Sequence, residues 1–341
     1  MMIGFVMLTR LDMTLAVKQF LIAVASVAFS LTVPVIVEKV GFLSRLGIVY
    51  GIIGLGVVGS VFIFGTKVYG ATNWISIAGI GFQPSELAKI IFVFFVAAML
   101  YKNTSLKQIM LTSALAGVHV LMLVVEKDLG AAVIFFVTYI VMLYVATRRA
   151  MWPLMGLAAG AGASVVAYHL FDHVKRRVVA WKDPWGNYND AGYQIAQSLF
   201  AIGTGGWFGM GLYRGMPEKI PVVDKDFVFA AISEEMGALY ALCVLFLCLG
   251  CYMQFMLIAM KMQAMFYKLI AFGLGSVYIT QVFLTIGGVT KFIPSTGVTL
   301  PLVSYGGSSI VSTFIIFQVI QGLYVLKRGE EEEEENSSEE E

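Results

Sequence analysis

Apolar residues in this chain come in long blocks, near 19–37, 46–65, 87–101, 108–125, 129–147, 151–170, 237–260, 269–289 and 307–326, with polar residues gathered between them. Most blocks have the roughly 17 to 25 residues that a helix needs to cross the hydrocarbon of a bilayer. They predict an all-α polytopic membrane bundle. Residues 1–9, Met-Met-Ile-Gly-Phe-Val-Met-Leu-Thr, look like the end of one more span that is otherwise missing. The expectation is about ten transmembrane helices, the first of them truncated, with no basic flank and small-residue site of a cleavable signal. Gly156 and Gly160 suit close helix packing within the sixth block.

The connections set the orientation. One alternate set carries Lys39, Arg45, Lys102, Lys107, Arg148, Arg149, Lys261, Lys268, Lys327 and Arg328. The short loops of the other set carry Lys67, Lys127 and Lys291, with Arg10 and Lys18 near the stub. Basic loops stay in the cytoplasm, so the C-terminus is expected inside and the long loop at about 171–236 outside. A loop of that length without a span usually carries function. Part of it, Gln194 to Phe208, is apolar enough to lie back on the membrane.

Composition agrees and adds a tail. Of the 341 residues 59% are hydrophobic and only 13% charged, where a soluble domain carries about 25%. The net charge of +1 conceals an asymmetry, since the acids at 330–335 and 339–341 leave a basic body. Residues 1–328 form one membrane domain, and 329–341 are expected to be a disordered acidic cytoplasmic tail. A basic body suits anionic headgroups or a diphosphate. Cys243, Cys248 and Cys251 fall in one apolar block and read as core or lipid-facing residues rather than a disulfide framework. His119, His169 and His173 show no ligand spacing, and no P-loop or dinucleotide fingerprint supports a nucleotide-driven reaction.

Five patches on the outer side carry candidate chemistry. Gly70-Ala-Thr-Asn-Trp74 precedes Gly81-Phe-Gln-Pro-Ser-Glu-Leu-Ala-Lys89. Trp74 taken alone suits an interfacial anchor, and Ser85 with Glu86 suits a helix start. Lys89 stands one turn inside an apolar segment, where a charge requires a partner or a purpose. Glu126-Lys-Asp-Leu-Gly130, which holds Asp128, suits a short hairpin. The loop start brings Lys175, Arg176, Arg177 and Trp181, and adjacent guanidinium forks suit phosphate. Asp226 opens an apolar stretch that leads to Glu234 and Glu235; it suits a helix cap, yet three carboxylates exceed what capping requires. Finally, 294–309 has two prolines and the small polar residues Ser304 and Ser308. Irregular backbone of that kind survives at membrane depth only inside protein or along a cavity.

In order along the chain, Gly-Phe-Gln-Pro-Ser-Glu-Leu-Ala-Lys, Asp-Leu-Gly, Gly-Tyr-Gln-x-x-Gln-Ser, Asp-Phe-x-Phe-Ala with Glu-Glu-x-Gly, and Leu-Pro-Leu-Val-Ser-Tyr-Gly-Gly-Ser-Ser resemble the SEDS family, the RodA, FtsW and SpoVE proteins of bacteria. The likeness runs from about residue 3 to 328. It implies a peptidoglycan glycosyltransferase that polymerises lipid II, a disaccharide-pentapeptide on undecaprenyl diphosphate, on the outer face of the plasma membrane. It also implies a class B penicillin-binding protein as partner and Asp226 as the essential aspartate. Where the family often has His-Thr before that aspartate this chain has Asp224-Lys225, and a common family lysine is Met210 here.

Joining an acceptor hydroxyl to a sugar that leaves diphosphate needs one base and positive charge on the leaving group. Asp226 is the candidate base, with a pKa raised by burial beside Asp224, Glu234 or Glu235. Arg176, Arg177, Trp74, Lys89, Asp128, Glu234, Glu235, Ser304 and Ser308 are the candidate substrate-binding residues, with Lys182 and Arg214 as further cations. No cofactor is evident; a divalent metal would suit the same task, but no ligand set stands out. A lipid II flippase is the alternative reading, and it needs the cavity and cations but no base. An O-antigen-ligase-like enzyme and a division scaffold are more distant readings.

Overall fold

The computed structural model describes residues 1–39, 41–68, 71–77 and 80–339, with side chains described for all of these except 38, 39, 41, 42, 67, 68, 71, 77, 80 and 330–339. Among the described residues, eight helical stretches are long and apolar enough to cross a membrane: Met13–Val37, Gly47–Phe64, Leu106–Val125, Leu129–Thr147, Met151–Leu170, Ala238–Lys261, Met265–Val289 and Gly307–Gly329. The 17-residue helix Pro84–Leu100 and the short apolar helix Met2–Leu11 complete the set of about ten. The protein is a multi-pass membrane protein.

In chain order these are α1 (Met2–Leu11), α2 (Met13–Ser30), α3 (Val33–Lys39), α4 (Gly47–Phe64), α5 (Pro84–Leu100), α6 (Leu106–Val125), α7 (Leu129–Thr147) and α8 (Met151–Leu170). The long loop then folds into α9 (Asp172–Lys182), α10 (Tyr193–Gly205) and α11 (Val228–Met236), followed by α12 (Ala238–Lys261), α13 (Met265–Val289) and α14 (Gly307–Glu339). α2 and α3 make one span with a break, because Pro34 lacks the N–H that a continuous helix would use. α14 runs on into the acidic segment. The side chains from Glu330 onward lie outside the described residues, as do residues 340–341, and the expectation of a disordered tail falls largely on them.

α5, α7 and α13 form the centre. Phe92, Phe95, Phe135, Met142, Leu269 and Leu274 are buried there, and α13 packs on α5, α7 and α12. α8 has no buried residue, and its Gly156 and Gly160 face Ile140 and Phe136 of α7. Cys243 is exposed, Cys248 buried, and all three cysteines are free.

One element is absent from the apolar pattern. Between α4 and α5 the chain forms a small antiparallel sheet of β1 (Gly65–Val68), β2 (Ala71–Ile77) and β3 (Ile80–Phe82) in the order β1-β2-β3. Trp74 pairs with Thr66 in this sheet. Strands of three to seven residues are too short to leave a readable alternation, and Gly70 itself lies outside the described residues. The sheet, the 126–128 turn, α9–α11 and the irregular stretch 290–306 all gather at one end of the bundle, around a cavity.

Candidate active site

The cavity measures about 1070 Å³. α2 contributes Lys18, Leu21 and Ile22, the sheet contributes Trp74, and the start of α5 contributes Gln83, Ser85, Glu86 and Lys89. Asp128, Arg176, Arg177, Asp226 and Ser308 line it as well. Seven of the ten residues singled out from the sequence thus meet at one place: Trp74, Lys89, Asp128, Arg176, Arg177, Asp226 and Ser308.

Asp226 sits just before α11 and caps nothing. The N-cap position of that helix is Phe227, without a side-chain hydrogen bond. The buried apolar run Phe227, Val228, Ala230, Ala231 and Ile232 anchors the helix, and its N-terminal approach carries the carboxyl into the cavity. Desolvation pushes the Asp226 carboxyl up to about 6, while Arg177 and Lys225 pull it down and Asp224 and Asp128 push it up. The rise expected from burial is present. The neighbouring acids are Asp224 and Asp128, however, rather than Glu234 and Glu235, which α11 carries away from the cavity.

Arg177 is the cation with the strongest pull on Asp226. Its Nη1 donates to the Ser295 carbonyl at 2.9 Å, and Trp181 Nε1 donates to the Lys291 carbonyl at 3.0 Å. These bonds tie α9 to the stretch 290–306. Burial lowers the Arg177 pKa, and Asp226 and Asp128 oppose that shift, although guanidinium stays charged throughout the working range. Gly297 fits between the two groups with a φ of +75°. A methyl group placed there would stand 3.5 Å from Asp226 Oδ2 and 3.7 Å from Arg177 Nη2. Acid and cation are therefore adjacent, and among the described residues no ion pair joins the two side chains.

Asp128 is fully engaged. Its Oδ2 accepts from Gln83 Nε2 at 2.9 Å, Ser85 Oγ at 3.0 Å and Asn73 Nδ2 at 3.3 Å, and its Oδ1 caps α7 through the Ala131 N–H at 3.1 Å. Ser85 is a donor to Asp128, not the cap of α5; the N-cap position is Gln83, with Pro84 opening the helix. The neighbouring Gly130 packs against Val298 and the Thr296 carbonyl, where a side chain has no room. Asp-Leu-Gly is thus a hairpin whose acid ties the sheet, α5 and α7 together. Glu126, one residue pair earlier, is buried with an unpartnered Oε1, and burial followed by Asp128 pushes it up to about 8.

Lys89 has the partners its position requires. Its Nζ donates to Glu86 Oε2 at 2.6 Å and to Gln281 Oε1 at 2.7 Å. Ser312 Oγ donates to the same Glu86 oxygen at 2.6 Å. This closed network joins α5, α13 and α14 at the cavity wall. Trp74 lies in the wall with Lys225 Nζ 5.9 Å from its ring centroid. Ser308 Oγ accepts from the Gln83 N–H at 3.0 Å.

Three of the sequence candidates stand elsewhere. Ser304 Oγ accepts from the Leu300 N–H at 2.8 Å, and its carbonyl accepts from Gln19 Nε2, so it folds the 290–306 stretch. Glu235 pairs with Arg10 at 3.0 Å, and Glu234 Oε1 accepts from the Met216 N–H at 3.0 Å. Both glutamates fasten the 209–219 loop and α1 to the far end of α11. Lys182 and Arg214 also lie off the cavity. Sequence reasoning passed over Lys18 because it started the span at 19; α2 begins at Met13, which puts Lys18 inside the helix. The same argument that flagged Lys89 applies to it. Among the described residues no group of three His, Cys, Asp or Glu side chains is arranged to hold a metal ion.

The comparisons agree with one another. RodA of Mycobacterium tuberculosis, a peptidoglycan glycosyltransferase, is 34% identical over 353 residues, covering 93% of this chain and 74% of the relative. A probable peptidoglycan glycosyltransferase FtsW of a Geobacter species is 34% identical over 270 residues, covering 76% of this chain and 73% of the relative. Among solved structures, a chain from a peptidoglycan synthase complex that coordinates polymerisation and crosslinking superposes with a TM-score of 0.78 at 24% identity, covering 95% of this chain and 94% of that one. The rod shape determining protein RodA of Thermus thermophilus superposes with a TM-score of 0.68 at 23% identity, covering 94% and 91%. Those two establish the fold. With the family model for FtsW, RodA and SpoVE cell cycle proteins matching residues 1–328, the chain belongs to that family.

Proposed function

We propose that this protein is the polymerase of glycan strands, taking lipid II as substrate, with Asp226 as general base. The protein is a membrane-embedded glycosyltransferase of peptidoglycan synthesis. The observation that carries the mechanism is the placement of Asp226: a carboxyl freed from capping, raised to about 6, beside Arg177 in a cavity at one end of the bundle. The C4 hydroxyl of the acceptor sugar attacks the anomeric carbon of the donor. The new C–O bond forms as the bond from that carbon to diphosphate breaks. The bonding pair leaves with the diphosphate, and the hydroxyl proton passes to Asp226. A carboxylate with a pKa near 6 is ionised at neutral pH and still a better base than an unperturbed aspartate.

Arg176 and Arg177 hold the departing diphosphate, since guanidinium forks match phosphate oxygens and keep their charge. The cavity end of the molecule faces outward and the C-terminus lies in the cytoplasm. The ten basic residues on the opposite connections support that orientation. A class B penicillin-binding protein is the crosslinking partner, a reading supported by the synthase complex that shares this fold. The test is incubation of the purified protein with lipid II in detergent and separation of the products by size. Glycan strands longer than the starting disaccharide are expected; lipid translocation without strand formation would favour a flippase.

A further inference from the structure

Three cationic side chains that line the cavity have no ion-pair or hydrogen-bond partner among the described residues: Lys18, Lys127 and Arg176. Two of them belong to the Asp226 side. Arg176 neighbours Arg177 on α9, and Lys127 is close enough to depress His173 together with Arg177. Lys18 is on a different wall. α2 packs against α1 and α14, whereas Arg176 stands on α9.

Its surroundings are those of a lipid headgroup contact. Lys18, Leu21 and Ile22 stand at i, i+3 and i+4, hence on one face of α2, and all three line the cavity. Leu21 is 62% exposed. The cation is nearer the cavity end of the helix, which starts at Met13, and the apolar pair follows one turn deeper. Lys18 is exposed to the cavity, and an ionisable side chain within a span that lines a cavity is a candidate ligand contact. A charge above an apolar strip matches a phosphate above a hydrocarbon chain.

The polymerisation chemistry says which phosphate. The donor's diphosphate is attached to the reacting carbon and must stand beside the base, where Arg177 is. The acceptor reacts through the far end of its disaccharide, so its own diphosphate is two sugar rings from the base. We infer that Lys18, with Leu21 and Ile22 below it, forms a second lipid-diphosphate contact that holds the acceptor while Arg176 and Arg177 hold the donor. This rests on the polymerase reading of the site. The cavity, at about 1070 Å³, is at the upper end of what one drug-sized ligand fills.

Native mass spectrometry of the Asp226→Asn protein with lipid II counts bound molecules without turnover. Two per protein are expected, and Lys18→Gln in the same background should leave one, with Lys18→Arg restoring the second. In the otherwise wild-type protein, Lys18→Gln should raise KM for lipid II about tenfold, the effect of one lost charge-assisted contact. Because the side chain is exposed, the substitution should not alter thermal stability. An unchanged count and KM, with wild type making strands, would overturn the Lys18 contact and leave the polymerase reading intact. A lost second molecule in a protein that makes no strands would keep the contact and remove the polymerase. If phosphatidylglycerol displaces the second lipid II as well as free lipid II does, the site is a general headgroup contact and the acceptor assignment fails.

Discussion

In the proposed mechanism, Asp226 handles the proton and the cations around it handle the phosphate. Its carboxyl is raised to about 6 mainly by burial. The protonated form cannot accept a proton, so kcat/KM should rise with pH through an apparent pKa of about 6 and level off above it. A profile flat down to pH 4.5 would assign the base elsewhere. The folding linkage has the opposite sense. A carboxyl raised above its unfolded value disfavours the ionised native state, so stability associated with this group declines as pH climbs from about 4 towards 6. Activity and stability should therefore move in opposite directions across that window. Arg176 and Arg177 differ from each other in a testable way, because only Arg177 is tied to Ser295. Arg176→Gln should weaken lipid II binding and flatten its salt dependence without changing the melting temperature. Arg177→Gln should do both and also loosen the 290–306 stretch, visible as faster hydrogen exchange there.

At the level of elements, the spans were legible and the ties between them were not. Length and apolar content are enough to mark a helix that crosses a membrane, and the nine blocks match helices α2 to α8 and α12 to α14 closely. The three-stranded sheet left no signal, because its pairing depends on partners and not on a periodic run. The roles of charged residues divided along the same line. Lys89 stood out as a charge needing a partner, but nothing local pointed to Gln281 or Ser312, which lie about two hundred residues away. Glu234 and Glu235 drew notice as extra carboxylates near the key aspartate. Glu235 pairs with Arg10 at the end of α1 and Glu234 accepts from the Met216 N–H, and only the fold brings these together. The Glu235 side chain is fully buried, so Arg10→Ala strands a carboxylate and should cost about 3 to 5 kcal/mol of stability. Glu235→Gln removes the charge as well as the pair and should cost less. Equal melting temperatures for the two variants would mean the pair contributes nothing to holding α11.

For the whole molecule, the cavity lined by the candidate residues lies at one end, and the side of the membrane that end faces decides which substrate pool it meets. Single cysteines at Asn189 and at position 334, in a background without Cys243, Cys248 and Cys251, report this directly. An impermeant thiol reagent applied to intact cells should label 189 and not 334; the reverse pattern would put the site in the cytoplasm. The central claim is the proton transfer at Asp226, and Asp226→Asn is its most direct test. Asparagine keeps the shape and cannot accept the proton. Lipid II binding and thermal stability should stay close to wild type, while glycan strand formation from lipid II should fall by about 10² to 10⁴-fold, the span that positioned proton transfer contributes. Strands formed by Asp226→Asn at near the wild-type rate and length would contradict the account.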